Sequence, residues 1–248
     1  MSTVSKALDV LFCLAREPRD IGITELCGLC SLDKATVFRS LKALQARGLV
    51  EQNPETRKYR LGLATINLAG QKLRRLSVVT TAQPYLAQLS QATHETVQLS
   101  ARSGNQVLYL AVVESAQPIR VASDVGSLAS LHCTAAGKVF LAFAEPDIDG
   151  LMLQLPLERH TDKTITDIDR LKTDIEQVRR RGWSLDDEEL SAHLRVVAAP
   201  IRDMNGQVLA ALALGGPTMR ITRDKIEAMA EAVMTTARSI SMALAGQG

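Results

Sequence analysis

Four clusters in this chain carry residue types that could do chemistry. Cys27-Gly28-Leu29-Cys30 has the spacing of a redox pair or of half a zinc site. A structural zinc needs four ligands and no second such pair follows, so small-residue packing inside a helix is the simpler account. His132-Cys133, with Asp186 as orienting carboxylate, is the raw material of a Cys/His hydrolase. Adjacent side chains rarely meet productively, however, and core packing with ligand lining explains the pair more simply. Asp186-Asp187-Glu188-Glu189 could gather a cation, but four acids after Trp183 read better as a solvated turn. Arg179-Arg180-Arg181 suits a helix C-terminus, where the macrodipole favours cations. No catalytic residue, cofactor or metal ligand is assigned.

The elements that would position chemistry begin at Thr24 to Arg47. Asp33 stands where an N-cap belongs, Val37, Leu41 and Leu44 recur at helical spacing, and Gly48 can end the helix. An upstream helix capped at Thr24 needs only Leu26 and Leu29 to dock, with a turn at Cys30 to Leu32, which gives a helix-turn-helix. The outer face carries Thr36, Ser40, Ala43 and Arg47, flanked by Arg39 and Lys42. Leu49-Val50, the turn Asn53-Pro54-Glu55-Thr56 and Arg57-Lys58-Tyr59-Arg60-Leu61 then form a hairpin with a basic tip, a wing. The candidate DNA contacts are Lys34, Ala35, Thr36, Phe38, Arg39, Ser40 and Arg47 from the helix, and Arg57, Lys58 and Arg60 from the wing.

Charge is distributed to match. Residues 1–77 hold 13 Lys and Arg against 7 Asp and Glu, a net +6, while the remainder holds 16 against 20, a net −4. Four cysteines in 248 residues make no disulfide framework, so a reducing cytoplasm is expected. The longest clear apolar run, Val208 to Leu214, is far too short to span a membrane, and Asp9 interrupts any leader-like stretch. Aromatic residues, at 3%, are too few for a single-strand stacking platform.

Before the helix-turn-helix, Ser2 or Thr3 can cap a helix with Val4, Leu8, Leu11 and Ala15 on one side. After the wing, Leu63 to Leu76 is helical, with Ile66, Ala69, Leu73 and Leu76 in a short heptad seam. That helix can pack on its symmetry mate or inside the monomer. From Thr80 the pattern becomes mixed. A helix over 81–95 buries Tyr85, Leu86 and Leu89, strands 96–102 and 107–114 form a hairpin, and Ile119 to Ser123 reads as a strand. Helices over 134–144 and 167–181, a hairpin of 195–202 with 207–214, and a final helix over 222–245 complete an α+β domain on a largely antiparallel sheet. The expected domains are 1–62, a linker helix 63–79, and 80–248.

The stretches KATVFRSLKALQARGLVEQNPETRKYRLG (34–62), VGSLASLHCTAAGKVFLAF (125–143), KTITD (163–167), VRRRGWSLDDEE (178–189) and RVVAAPIRDMNGQVLAALALGGP (195–217) follow one another in the order found in IclR-family transcriptional regulators, which the chain resembles over nearly its whole length. The resemblance implies a winged helix-turn-helix followed by a GAF-like effector-binding domain. It implies homodimers, paired in many members into tetramers, on double-stranded operator DNA, with repression favoured over activation. It places a small organic-acid effector against Leu131, His132, Cys133, Thr134, Ala135, Ala136 and Gly137, with Asp186, Leu194, Val196, Ala213 and Gly215 completing the pocket. Small residues at a helix N-terminus suit a carboxylate. Where many members carry Cys or Ser, this chain has Val196, Ala213 and Gly215, which implies a larger, more apolar pocket for a bulkier or aromatic acid. A ligand-independent architectural DNA binder and a hydrolase fused to a DNA-binding domain are the alternatives.

Overall fold

The computed structural model describes residues 2–144 and 148–246. The chain divides into two compact units, 1–75 and 76–248. The first contains α1 (Thr3–Arg16), α2 (Ile23–Cys30), α3 (Lys34–Gln45), the hairpin β1 (Val50–Gln52) and β2 (Tyr59–Leu61), and α4 (Leu63–Arg75). Val10 and Leu14 of α1, Leu26 of α2, Val37, Leu41 and Leu44 of α3, and Ile21, Val50 and Tyr59 share one apolar core. Ile21 and Tyr59 exchange two backbone hydrogen bonds of 2.9 and 2.8 Å, tying the wing to the segment that enters α2.

Three expectations in this unit fail. The buried side of α1 is Val10 and Leu14, while Val4 is 70% and Phe12 61% exposed, and Leu8 and Ala15 also face outward. The helix has two apolar stripes, and periodicity cannot say which one α2 and α3 cover. Gly22, not Thr24, precedes α2, because the bridge at Ile21 holds the backbone extended until one residue before the helix begins. Leu29 is exposed; Cys27, next to Leu26, and Cys30, one turn on, pack on the core instead.

The second unit opens with α5 (Ser77–Thr93), β3 (Thr96–Ser103), β4 (Gln106–Val113) and β5 (Leu128–Ser130). It continues with α6 (Ala135–Phe143), α7 (Ile148–Met152), α8 (Ile168–Arg181) and β6 (Ser184–Asp187), then β7 (Leu194–Arg202), β8 (Val208–Pro217) and α9 (Ile226–Ala245). The six strands form one sheet in the order β5-β4-β3-β8-β7-β6, every neighbouring pair antiparallel. On one face Val139 and Phe140 of α6 and Leu171, Ile175 and Val178 of α8 pack against Ala198, Ala211 and Ala213. Alanines at these strand positions let the helices approach closely. α9 covers β7 on the other face and packs on α5.

Residues 119–123 do not form a strand. Side chains of β3 hold that segment in place of a ladder: Thr96 Oγ1 donates to the Val121 carbonyl at 3.0 Å, and Gln98 donates to Ser123 Oγ. The expected heptad seam also stops early, since Leu76 stands at the N-cap of α5, outside α4.

Candidate nucleic-acid interface and ligand cavity

In the first unit, Asp33 fixes the start of α3. Its carboxylate accepts from the Thr36 backbone N–H at 2.9 Å and from Thr36 Oγ1 at 2.7 Å, which holds its pKa below the usual aspartate range. Lys34, Ala35, Phe38, Arg39 and Lys42 form the exposed side of the helix, and Arg47 is exposed in the turn just after it. The Lys42 ammonium lies 5.6 Å from the Phe38 ring centre, which pins that cation over an apolar surface. Thr36 and Ser40 do not belong to this side. They are 7% and 5% exposed, and they flank a small cleft together with Thr3, Lys6 and Ala7 of α1. The outer face is therefore rotated toward Phe38 and Arg39.

The wing tip is shaped by Asn53, whose Oδ1 accepts from the Glu55 and Thr56 N–H groups at 3.0 and 3.1 Å. Arg57 adopts φ 59°, and Arg57 and Lys58 both project to solvent. Arg60 is engaged within the sheet, its guanidinium 2.6 Å from Glu51. An ion pair this exposed is weak, so Arg60 stays a candidate phosphate contact beside Arg57 and Lys58.

In the second unit, a small cavity of about 70 Å³ lies between the start of α6, the loop after β5's partner strand β4, and the ends of β6, β7 and β8. Of the twelve expected residues, Thr134, Ala135, Ala136, Asp186, Leu194, Val196 and Ala213 line it. Leu131 is part of the apolar core. His132 turns away, its Nε2 bonded to the Glu158 carbonyl at 3.0 Å and its ring stacked on His160. Cys133 is fully buried behind the cavity, and Gly137 packs so close to Leu131 that an added Cβ would stand 2.1 Å from the Leu131 carbonyl oxygen. A hydrolase built on His132 and Cys133 would lack access to anything in the cavity.

Gly215 is the instructive failure. It pairs with Val196 across β7 and β8, and a Cβ there would fall 2.7 Å from Val196 Cγ2. The valine occupies the space that the glycine leaves, so the two replacements offset one another and the cavity stays small. Tyr109, Gln98, Ser123 and Ser191 join its wall, with Val121, Ala122 and Leu190. The lining is accordingly more polar than the sequence implied. These residues come from β3, β4 and two loops, which carry no local pattern pointing inward.

Two groups dominate the electrostatics. Burial pushes the Asp186 carboxyl up to about 7, against the hydrogen bonds it accepts from the Glu189 and Leu190 N–H groups at 2.7 and 3.3 Å. Thr134 caps α6 through its Oγ1, which accepts from Gly137 N–H at 3.1 Å. The N–H groups of Ala135 and Ala136 then have no intrahelical acceptor, and both residues line the cavity. Behind Asp186, the fully buried Lys138 ammonium donates to the Leu185 carbonyl at 3.1 Å and pairs with Asp174 and Glu189. Burial alone would lower its affinity for a proton, but the two carboxylates outweigh this and keep it charged. This cluster ties α6, α8 and the β6 exit into one wall.

Residues 3–54 match the family described as IclR helix-turn-helix domain, and residues 70–242 match Bacterial transcriptional regulator IclR C-terminal. The chain belongs to the IclR family. It is 35% identical to the HTH-type transcriptional regulator BhcR of Paracoccus denitrificans, over 98% of this chain and 87% of that protein. It is 31% identical to the HTH-type transcriptional repressor AllR of Escherichia coli K12, over 97% of this chain and 89% of the other. The crystal structure of the Thermotoga maritima IclR is 29% identical, covers 98% of both chains and superposes with a TM-score of 0.76. As an IclR-family regulator with this helix-turn-helix, the protein binds DNA, and its second unit is the family's effector-type domain.

Proposed function

We propose that the protein is an operator-binding repressor, controlled by a small organic acid held between the α6 N-terminus and Asp186. The observation that carries the ligand assignment is that Ala135 and Ala136, at the N-terminus of α6, line one small cavity together with the buried Asp186 carboxyl. The N–H groups suit a carboxylate, and a protonated Asp186 can donate to the same anion. A space of about 70 Å³ corresponds to only about two waters at liquid density, which favours a compact acid over a bulky one. Tyr109, Gln98, Ser123 and Ser191 favour an acid that carries further hydroxyl or carbonyl groups. Lys34, Ala35, Phe38, Arg39 and Arg47 would enter the major groove, with Arg57 and Lys58 on flanking phosphates. No residue is assigned a catalytic role, and the setting is cytoplasmic.

The working species would be at least a homodimer on a two-fold or repeated operator. Support comes from α4, which has no buried side chain among the described residues and leaves Leu63 74%, Ile66 69% and Leu68 59% exposed. The test is footprinting of the upstream region with and without a calorimetric panel of acids. Protection of one discrete site, relieved by a short hydroxy or keto acid that binds the protein directly, is the expected result. Equal protection of scrambled DNA would refute the operator assignment. Tight binding of long or aromatic acids alone would refute the compact-ligand assignment.

A further inference from the structure

Beside the cavity, and separate from it, three donors converge. One ligand atom each from His132, Cys133 and His160 lies within 4.8 Å of the others. We propose that these residues form a binding site for a thiophilic divalent cation of the zinc type, with a fourth position open to solvent.

The donor set is the first argument. Two imidazoles and a thiolate suit zinc, and three protein ligands leave one position for water or an exogenous group. The second is orientation. The Glu158 carbonyl can only accept, so His132 Nε2 carries the proton and donates across 3.0 Å. That fixes Nδ1 as the coordinating atom and supplies the outer hydrogen bond that holds a metal-ligating histidine in place. The third is charge. Cys133 lies in the field of Asp186 and Glu189, while Lys138, the nearby cation, is already committed to Asp174 and Glu189. A divalent ion would neutralise a pocket that now has more carboxylates than cations. The fourth is access. His132 and Cys133 are 1% and 0% exposed, but His160 is exposed and shares with Ser130 a surface cleft of about 320 Å³.

Tetrahedral zinc holds N and S donors roughly 3.3–3.7 Å apart, so the cluster must close by about 1 Å. His160, the exposed member of the three, is the one whose side chain is free to move. Its backbone N–H is anchored to Thr164 Oγ1 at 3.1 Å, and its ring stands stacked 6.1 Å from that of His132.

Cobalt(II), a spectroscopic stand-in for zinc, titrated into the reduced full-length protein tests the site. The expected result is one saturable equivalent showing a thiolate-to-cobalt charge-transfer band and the visible bands of a four-coordinate ion, bleached by zinc. Cys133→Ser should remove the charge-transfer band, and His160→Ala should weaken binding at least tenfold. Because His160 is exposed, that variant keeps its fold, and zinc should raise the melting temperature of the unsubstituted protein but not of His160→Ala. A band that persists in Cys133→Ser would place the metal at Cys13, Cys27 or Cys30 and overturn the proposal. So would the absence of saturable binding, or affinity unchanged in His160→Ala, either of which would leave the two rings as packing alone.

Discussion

At the scale of single residues, Asp186 decides how the second unit responds to pH. Its carboxyl titrates near 7 when folded and near 3.8 when unfolded, so between those values the folded state holds a proton that the unfolded chain has released. The stability this contributes is complete below about 3.8 and is lost as pH rises through 7. The groups facing it are Glu189, Lys138, Cys133 and Tyr109, whose hydroxyl burial pushes up to about 12 and so stays neutral. Asp186→Asn keeps an acceptor for the Glu189 and Leu190 N–H groups, and it should flatten urea-unfolding stability between pH 4 and 8. Acid binding should weaken by up to about tenfold per pH unit above 7, because an ionised Asp186 repels the anion; calorimetry at pH 6, 7 and 8 reads this directly. Gly215 carries the second prediction. Gly215→Leu should lower stability by about 1–3 kcal/mol in denaturant titrations, since Val196 already fills that space. This pair also shows where the sequence was silent. A glycine reads as room, and only the cross-strand register reveals that its neighbour has taken the room.

At the scale of elements, the legibility of each helix follows from how many apolar stripes it has. The buried row of α3 is legible because Val37, Leu41 and Leu44 are all in the core, but its outer face is not, since Thr36 and Ser40 are buried beside that row. α1 presents two such rows, and of Val4, Leu8, Leu11 and Ala15 only Leu11 packs on the core. The strands of both long hairpins were legible from alternation and turn chemistry. The walls of the cavity were not, because Gln98, Tyr109 and Ser123 meet only through pairing of strands distant in the chain. The rotation of α3 makes a clear prediction. Arg39→Ala should weaken specific DNA binding by about 1–3 kcal/mol with little effect on scrambled DNA. Arg57→Ala should weaken both and reduce the slope of log affinity against log salt by about 1. Band-shift assays over a salt series separate the two cases. Ser40→Ala, at a buried position, should change stability rather than the salt slope.

At the scale of the whole molecule, assembly and regulation would have to pass along the segment between the two units. Ile66→Lys should shift the sedimentation equilibrium toward monomer, and it should cost operator affinity without altering acid binding in the second unit. An isolated helix of thirteen residues is marginal in water. α4 buries no side chain among the described residues, so its order depends on what comes to lie against it. It also carries Lys72, Arg74 and Arg75 near its end, three exposed or half-exposed trypsin sites within four residues. A protease therefore becomes a gauge of association. Dilute protein should be nicked there within the time of a brief digest and fall into two fragments, while concentrated or DNA-bound protein should survive, so the cleavage half-life would plot the dissociation curve.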